Sequence, residues 1–458
     1  MHPRRHRIGV VGLGYVGLCT AVTFASRGFK TVGIDVERQK VASIKAGNVP
    51  IHEPKMDQLL RRGLHSGSLE VTDEFSQLSK ADTVYITVGT PSKSDGSIDL
   101  TYVENAAGQI GENLRTRRGY CVIVVKSTVI PGTTSSRVKP LIEQASGRKV
   151  GRELGLCANP EFLREGTAIY DSFHPDKLVI GADDKNALKW MTHFYKRFYG
   201  SRTPPIIATT PETAEMIKYA SNGFLATKIS FINTVANIAQ NIPGVDVEVI
   251  AQAIGLDRRI GPLFLKAGPG YGGSCFHKDL QGLIEFSRRL GYDPILIRTT
   301  EEVNEHQAEE VLKLVQILLG SLEAKRITLL GLSFKKDTDD VREAVSIRVA
   351  KHLRKRGARV VAYDPIAMPN ARKALDDTVE FASDPRTALK GSDCCVVLTE
   401  WDEFRRLTAR DYSRLMRVPN LVDARRLYRP ADFRAIRFLA IGLGSNNGLL
   451  RTTQNFSS

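Results

Sequence analysis

The segment GPGYGGSCFHKDL, residues 268–280, places a cysteine directly after a cluster of glycines. Glycine costs backbone entropy, so four glycines among residues 268–273 indicate a main chain that bends sharply or approaches something closely. If a helix begins at Cys275, its N-terminus and Lys278 favour the thiolate. Asp279 then lies on the same helix face. A thiol in this position is either a nucleophile or a small apolar residue, and the rest of the sequence decides between them.

A second chemical signal lies near the start of the chain. The run VVGLGYVGL has Gly12, Gly14 and Gly17 in G-x-G-x-x-G spacing, after a strand pattern and before a helical one. Such glycines allow a tight turn in which a pyrophosphate sits on the helix N-terminus. A second strand ends at Asp35, where a carboxylate accepts from a ribose hydroxyl and repels a 2′-phosphate. The pattern predicts dinucleotide binding, with NAD preferred over NADP.

Further polar residues follow the predicted strands. VGTPS and KSTVIPGTT place Thr90 and Thr128 at the carboxyl ends of strands, where ligands of parallel sheets bind. NPEFLREG places Glu161 just beyond another strand. Lys218 and Asn222 have i, i+4 spacing on a predicted helix and share a face. Lys218 alone is typical of a surface lysine, but the set as a whole indicates a reaction site.

A cysteine nucleophile beside a nicotinamide cofactor suggests an oxidation in two stages. An alcohol first loses a hydride and becomes an aldehyde. A thiolate adds to that aldehyde, and loss of a second hydride forms a thioester. Water activated by a carboxylate then releases an acid. This hypothesis explains why a dehydrogenase would contain the cysteine.

The elements that must position these residues alternate between apolar strand patterns and amphipathic helices, which indicates parallel sheets covered by helices. Residues 211–242 form one uninterrupted helical pattern that is too long for a small domain and so connects two. Strand patterns then return without a second glycine fingerprint. We therefore predict an α/β protein with two Rossmann-like doubly wound domains joined by a long central helix. The predicted parts are a dinucleotide-binding domain (1–203), a central helical dimerisation region (204–320), a second Rossmann-like domain (321–442) and a flexible tail (443–458).

Composition excludes several classes of protein. The formal net charge is +15, but the basic residues form no tail or block and accompany no nucleic-acid motif, so we expect a solvated surface with some phosphate contacts. No apolar run is long enough to span a bilayer. The six cysteines are scattered, without metal-ligand spacing and without a disulfide pattern. We expect a cytoplasmic protein that binds no metal, no membrane and no nucleic acid.

The motifs together resemble those of the UDP-glucose/GDP-mannose dehydrogenase family, and within it the UDP-glucose 6-dehydrogenase branch. The resemblance covers nearly the whole chain. It is carried by GVVGLGYVGL, NPEFLREGTAIYD, AEMIKYASN, GYGGSCFHKDL, LGLSFKKDTDDVREA and DARRLY. It implies an NAD-binding domain, a dimerisation helix, a UDP-binding domain and a sugar-nucleotide substrate, in a homodimer or higher homo-oligomer.

The resemblance also implies roles for the matched positions. Those implied in catalysis are Cys275 as nucleophile, Lys218 and Asp279 for the proton and the oxyanion, Glu161 for thioester hydrolysis, and Thr128 and Asn222 for holding water and substrate. Those implied in NAD binding are Gly12, Gly14, Tyr15, Val16, Gly17, Asp35, Lys40, Thr90, Thr128, Glu165, Lys278 and Arg342. Those implied in substrate binding are Phe162, Leu163, Lys218, Asn222, Arg259, Phe264, Lys266, Gly272, Lys335 and Arg426. Arg259 would reach the substrate of a neighbouring subunit, and Arg425 competes with Arg426 for the same role.

Three points stay open at this level. The family often has proline where this chain has His277, and that histidine either tunes the thiolate or is a tolerated loop variant. The substrate is UDP-glucose or another sugar nucleotide, such as GDP-mannose or a UDP-N-acetylhexosamine; GGSC, rather than GGHC, favours UDP-glucose. A single-step β-hydroxyacid dehydrogenase, or a non-catalytic NAD- or nucleic-acid-binding protein, would have no use for Cys275.

Overall fold

The computed structural model describes residues 6–375 and 379–444. The described chain divides into two compact units. Unit 1 takes in the chain up to Ser221 together with Gln281–Gly291, and unit 2 takes in Asn222–Leu280 and the chain from Tyr292 onward. Two helices, α8 and α10, contribute residues to both units. The predicted tail from residue 445 lies outside the described residues.

Unit 1 is built on an eight-stranded sheet whose strands, except for the partly exposed β8, are mostly buried. Its strands are β1 (Arg7–Val11), β2 (Lys30–Ile34), β3 (Leu69–Thr72), β4 (Thr83–Ile86), β5 (Cys121–Val125), β6 (Leu154–Ala158), β7 (Leu178–Gly181) and β8 (Ile206–Thr209). Its helices are α1 (Tyr15–Ser26), α2 (Arg38–Lys45), α3 (Met56–His65), α4 (Thr101–Leu114), α5 (Lys139–Ser146), α6 (Ala168–Phe173), α7 (Lys185–Tyr199) and the start of α8 (Pro211–Ala239).

The strand order of this sheet is β3-β2-β1-β4-β5-β6-β7-β8. The first six strands are parallel, as their continuous apolar runs predicted. β7 joins β6 in the antiparallel sense, through the pair Ala158 and Gly181, and β8 follows β7. The carboxyl ends of β1, β2, β4, β5 and β6 therefore lie along one edge, and the loops that carry the predicted site residues leave from that edge.

Unit 2 repeats the architecture with a six-stranded, wholly parallel sheet. Its strands are β9 (Arg326–Leu330), β10 (Arg359–Tyr363), β11 (Glu380–Phe381), β12 (Cys394–Val397), β13 (Asn420–Asp423) and β14 (Arg437–Ala440). Its helices are the rest of α8, α9 (Val247–Gly255), the start of α10 (Phe276–Arg289), α11 (Ile295–Leu319), α12 (Val345–Lys355), α13 (Met368–Leu375), α14 (Pro385–Leu389) and α15 (Ala409–Leu415).

In each sheet the first six strands, numbered along the chain within the unit, lie in the order 3-2-1-4-5-6. In each sheet an aspartate after the second strand also accepts a hydrogen bond from the turn after the first strand. In unit 1, Asp35 follows β2 and accepts from the N–H of Leu13 at 2.8 Å. In unit 2, Asp364 follows β10 and accepts from the N–H of Leu332, also at 2.8 Å. The fold prediction of two doubly wound domains and a long central helix, α8, is confirmed. The predicted domain boundaries remain a prediction. No helix within the described ranges is long and apolar enough to cross a membrane.

Candidate active site

The turn between β1 and α1 explains the spacing of its glycines. Gly12 has φ of +92°, and a Cβ there would meet the backbone of Val88 at 2.9 Å. A Cβ on Gly17 would lie 1.8 Å from the carbonyl oxygen of Gly12, because α1 packs directly on the turn. A Cβ on Gly14 would meet nothing within 4 Å, so the helix start is open to an incoming group. The N–H groups of α1 thus face a space suited to a pyrophosphate.

Asp35 braces this turn from the neighbouring strand. Its carboxylate is buried and accepts from the main-chain N–H groups of Leu13 and Glu37. Lys40, on the first turn of α2, lies 3.2 Å from the same carboxylate. The two main-chain N–H groups and the Lys40 ammonium, which reaches both oxygens, fill the roughly four acceptor positions of this carboxylate, so a ribose hydroxyl would take the place of a Lys40 contact. The residues predicted to bind the adenosine half of NAD therefore fit that group.

Glu161 and Lys218 form a buried ion pair in unit 1. The Lys218 Nζ donates to Glu161 Oε1 at 2.9 Å, and the Leu163 N–H donates to Oε2 at 2.5 Å. Burial raises the pKa of Glu161, but the charge and hydrogen bond of Lys218 and the Leu163 N–H outweigh burial and leave that pKa below its ordinary value. Glu161 is therefore an anionic acceptor at neutral pH.

Lys126 adds a second cation to the same edge of the sheet. It follows β5, two residues before Thr128, and its Nζ lies 3.4 Å from Asn159 Oδ1. Burial lowers the pKa of Lys126 to about 8, with the charge of Glu161 opposing that shift and the charge of Lys218 adding to it. Sequence reasoning missed Lys126, although it stands in the quoted motif KSTVIPGTT.

In unit 2, Cys275 lies at the start of α10. The helix begins at Phe276, and the Cys275 carbonyl accepts from the Asp279 N–H at 2.9 Å, the first hydrogen bond of the helix. Cys275 is exposed, whereas the other five cysteines are buried in strands or helices. The thiol is therefore at a helix N-terminus, where the aligned peptide dipoles stabilise a negative charge.

Asp279 lies one turn into α10 and is 1% exposed. Its Oδ2 accepts from the Asn222 amide at 2.7 Å, and its Oδ1 lies 2.6 Å from the Lys278 ammonium. The structure thus brings together Asn222, Lys278 and Asp279 from the predicted set. The contact from Lys278 to Asp279 was not anticipated, because Lys278 was expected to act on the thiol and on NAD.

The glycines before Cys275 let the chain lie against three other parts of unit 2. A Cβ on Gly270 would meet the side chain of Asn304 at 2.6 Å. A Cβ on Gly272 would meet the carbonyl oxygen of Glu343 at 2.5 Å, and one on Gly273 would meet the Phe334 ring at 2.9 Å. Gly270 and Gly273 also have φ of +112° and +83°, so both reasons offered for the cluster, a sharp bend and a close backbone approach, apply.

Three family models match consecutive parts of the chain. They describe the NAD binding domain, the central domain and the UDP binding domain of UDP-glucose/GDP-mannose dehydrogenases, and they match residues 6–199, 212–306 and 328–430. The chain belongs to the UDP-glucose/GDP-mannose dehydrogenase family. It is an NAD-dependent oxidoreductase of that family.

Individual relatives agree with this assignment. The chain is 40% identical over 439 residues to the UDP-glucose 6-dehydrogenase TuaD of Bacillus subtilis, covering 96% of this chain and 93% of that protein. A solved UDP-glucose dehydrogenase from Pyrobaculum islandicum superposes with a TM-score of 0.89 at 38% identity, covering 96% and 98% of the two chains. A UDP-D-ManNAc dehydrogenase from Pyrococcus horikoshii gives 0.84 at 27% identity, covering 96% and 99%.

Arg425 and Arg426, the two candidates for one substrate contact in this dehydrogenase, have different surroundings. Arg426 has φ of +50° and is buried, with its guanidinium bonded to Asp246 at 2.9 Å and to Glu248 at 3.3 Å. Arg425 is only partly buried; it donates to the carbonyl oxygens of Phe334 at 2.6 Å and Leu398 at 2.7 Å, and it lies 3.3 Å from the Glu400 carboxylate. Its guanidinium also lies next to Gly268: a Cβ built on that glycine would be 3.6 Å from Nη1 of Arg425.

The remaining predicted substrate residues are spread over both units. In unit 1, the Phe162 ring lies beneath the Lys218 ammonium at 5.5 Å. In unit 2, Phe264 has φ of +64° and faces the Phe276 ring at 6.4 Å. Arg259 is exposed and pairs with Asp257 next to it. Arg259 therefore points to solvent within its own unit.

One buried carboxylate in unit 1 escaped sequence reasoning altogether. Glu53 is buried and accepts from the N–H of Gly166 at 2.8 Å, the N–H of Ile169 at 3.2 Å and the hydroxyl of Tyr15. It thereby links the start of α1 to the loop that follows Glu165. Its partners lie 38 to 116 residues away along the chain, so no local spacing could have revealed it.

Proposed function

We propose that this family member oxidises UDP-glucose to UDP-glucuronate and consumes two NAD⁺ per substrate. Support comes from the UDP-glucose 6-dehydrogenases among its relatives and from the match to a UDP binding domain. The observation that carries the proposal is the exposed Cys275 thiol at the start of α10, with the buried Asp279–Asn222 pair one turn behind it. A protein that only bound nucleotides would not need this thiol.

In the first oxidation the C6 hydroxyl of the glucose loses a hydride and a proton. When bound, NAD⁺ accepts the hydride in this oxidation and in the second. Asp279 receives the proton through a water molecule, and the Lys218 ammonium stabilises the oxygen as its negative charge develops. Asn222 holds the Asp279 carboxylate in position, because its amide donates to Oδ2.

The Cys275 thiolate then adds to the carbonyl carbon and forms a thiohemiacetal, whose hydroxyl takes up one proton. Loss of that proton and of a second hydride gives a thioester. Glu161 accepts a proton from a water molecule as the water attacks the thioester, and the carbon–sulfur bond breaks to release the carboxylate and the thiol. The lowered pKa of Glu161 keeps its carboxylate ionised at neutral pH, so that it is in the form that can accept this proton, although it is a weaker base than an ordinary glutamate.

We also assign the nucleotide contact to Arg425 rather than to Arg426. Arg426 is committed to two carboxylates near the start of α9, so its guanidinium serves to hold that helix. Arg425 lies beside the loop of Lys266 and Gly272 and beside Lys335, which are the other residues proposed for the nucleotide. Arg425→Ala should therefore raise the KM for UDP-glucose, and Arg426→Ala should mainly lower thermal stability.

The test of the proposed function is a product analysis with counted NADH. The purified chain is mixed with NAD⁺ and, separately, with UDP-glucose, GDP-mannose and a UDP-N-acetylhexosamine. Two NADH per UDP-glucose, together with UDP-glucuronate by mass spectrometry, are expected. Turnover of GDP-mannose or of the UDP-N-acetylhexosamine, without turnover of UDP-glucose, would assign that sugar nucleotide as the substrate instead. One NADH per substrate would indicate a single-step dehydrogenase.

We further propose that the enzyme is a homodimer or a higher homo-oligomer that works in the cytoplasm. On α8, the side chains of Phe224, Phe231 and Ile238 follow at intervals of seven residues and are each more than half exposed. Large apolar side chains in one row on a helix are typical of a contact with another chain. Phe231→Glu should reduce the mass measured by light scattering, whereas Tyr102→Glu, at an equally exposed ring on α4, should not. The buried, unpaired thiols of this chain suit a reducing compartment.

A further inference from the structure

Glu301, on α11, contacts the chain on both sides of Cys275. The carboxylate is 3% exposed. Its Oε1 accepts from the hydroxyl of Tyr271, four residues before the thiol. Its Oε2 lies 2.5 Å from Nδ1 of His277, two residues after the thiol. One buried carboxylate therefore connects the glycine loop to the first turn of α10.

The main chain before the thiol is held by neighbouring contacts from the same unit. Asn304, one turn along α11 from Glu301, accepts from the Tyr271 N–H at 2.7 Å and donates to the Tyr271 carbonyl at 3.1 Å. The Gly273 N–H donates to the Arg342 carbonyl at 2.8 Å. On the other side of the thiol, the contact between His277 and Glu301 ties the first turn of α10 to the same helix. The Cys275 backbone is thus held between two points on α11.

The charges around His277 strengthen this contact. The hydrogen bond to Glu301 raises the pKa of His277, burial opposes that shift, and the charges of Glu301, Glu343 and Glu305 add to it. The neighbouring cation in the same helix turn, Lys278, lies against Asp279. His277 therefore stays protonated to a higher pH than an ordinary histidine. Because this cation is paired with Glu301, it fastens the first turn of α10 to α11.

We propose that Glu301 and His277 are positioning residues for the Cys275 nucleophile, holding the chain on both sides of the thiol. This inference rests on the proposed function only in giving Cys275 the role of nucleophile. It assigns His277 a function, where the sequence left open whether this residue is a loop variant. Neither side chain needs to touch the substrate, since both act through the placement and the charge environment of the sulfur.

The test measures the reactivity of the thiol without any substrate. The rate at which iodoacetamide alkylates Cys275 is followed from pH 5 to pH 10 by mass spectrometry of the Cys275 peptide, which the burial of the other cysteines makes selective. In His277→Gln the midpoint of this profile should move to higher pH, because the first turn of α10, whose N–H groups stabilise the thiolate, is no longer held by the ion pair with Glu301. The matched control is His352→Gln, which removes a second histidine–glutamate contact, to Glu309, from α12 of the same unit. The control should keep the parent profile.

Steady-state kinetics supply the second measurement. Glu301→Gln and His277→Gln should each lower kcat by about tenfold, because small displacements of a reacting atom are costly, with the KM for NAD⁺ changing far less. The double variant should lose little more than Glu301→Gln alone, since both changes remove the contact between these two side chains. His277 is about one-third exposed, so its replacement keeps the test possible if Glu301→Gln does not fold.

An unchanged alkylation profile in His277→Gln would overturn the inference, and so would additive losses in the double variant. A fall in kcat with a parent-like alkylation profile would show that the residues act elsewhere, and this too would overturn it. If the parent enzyme did not oxidise UDP-glucose, the proposed function would fail. The alkylation profiles would still decide whether this pair positions the thiol.

Discussion

The Lys218 ammonium donates to Glu161 Oε1 at 2.9 Å, and both side chains are more than nine-tenths buried. Removing two charges from water costs free energy that their mutual attraction recovers only with good geometry and further hydrogen bonds. The Leu163 N–H provides one such bond to the other oxygen of Glu161. The pair therefore keeps a carboxylate ionised in a dry part of unit 1, where it can accept a proton from water.

Replacement of this carboxylate should stop the reaction after the thioester has formed. In Glu161→Gln the hydrolysis step should slow by about 10²- to 10⁴-fold, which is the usual contribution of a general base. The acyl adduct on Cys275 should then accumulate during incubation with UDP-glucose and NAD⁺, as a mass increase of the intact protein. Glu285→Gln, at a carboxylate paired with Arg288 on α10, is the control. Normal release of the acid by Glu161→Gln would contradict the assigned role.

Replacement of the nucleophile should separate the two oxidations. In Cys275→Ser no thioester can form at the normal rate, so the NADH produced per UDP-glucose should fall from two to at most one. Product analysis should show aldehyde or a trapped adduct instead of acid. Cys394→Ala, at a buried cysteine in β12, should still release two NADH. Full conversion to the sugar acid by Cys275→Ser would exclude the thioester mechanism.

Asp35 should set the preference for NAD over NADP. Asp35→Asn keeps an oxygen that can accept from Leu13, but it removes the negative charge that repels a 2′-phosphate. We expect the KM for NAD⁺ to rise about tenfold, and the ratio of kcat/KM for NAD⁺ over NADP⁺ to fall by a larger factor. Asp73→Asn, at a half-buried carboxylate that pairs with the exposed Arg38, should leave that ratio unchanged. An unchanged ratio in Asp35→Asn would mean that another residue discriminates.

Glu215 should make the stability of unit 1 depend on pH near neutrality. Burial raises the pKa of Glu215 to about 7, against the bonds it accepts from Thr134 and Gly132. Because the folded-state pKa lies above the unfolded value of 4.5, the stabilisation is complete below pH 4.5 and is lost as the pH rises through about 7. Glu215→Gln, which resembles the protonated form, should lack this dependence.

The Glu215 effect can be read from denaturant unfolding at several pH values. The free energy of unfolding of the parent relative to Glu215→Gln should decrease by about 3 kcal/mol between pH 4.5 and pH 8, since one pKa unit corresponds to about 1.4 kcal/mol. Glu212→Gln, one turn earlier on α8, serves as the control because the pKa of Glu212 is lowered, mainly by the Ser135 hydroxyl. A difference that does not vary with pH would contradict the prediction.

The sequence predicted the fold where the pattern is local. Continuous apolar runs predicted the buried parallel strands, and an uninterrupted helical pattern predicted the long helix α8. Strands such as β3, β11 and β14 are not evident from the sequence, because LEVT, EF and RFLA contain charged residues and form no continuous apolar run. The antiparallel pairing of β7 with β6 was not predicted either, since an apolar run does not show in which sense its strand pairs with a neighbour.

By itself, the sequence determined the glycine turn, the acid after β2, the family and the position of the cysteine, because each depends on neighbours within a few residues. Only the tertiary structure decided that Lys218 pairs with Glu161, that Asn222 supports Asp279 and that Glu301 holds the chain around Cys275. Those partners lie 24 to 57 residues apart, and whether they meet depends on how helices pack on one another and on the sheets. The tertiary structure also separates the two adjacent arginines, because Arg426 is fully buried between Asp246 and Glu248, whereas Arg425 is only partly buried beside Glu400.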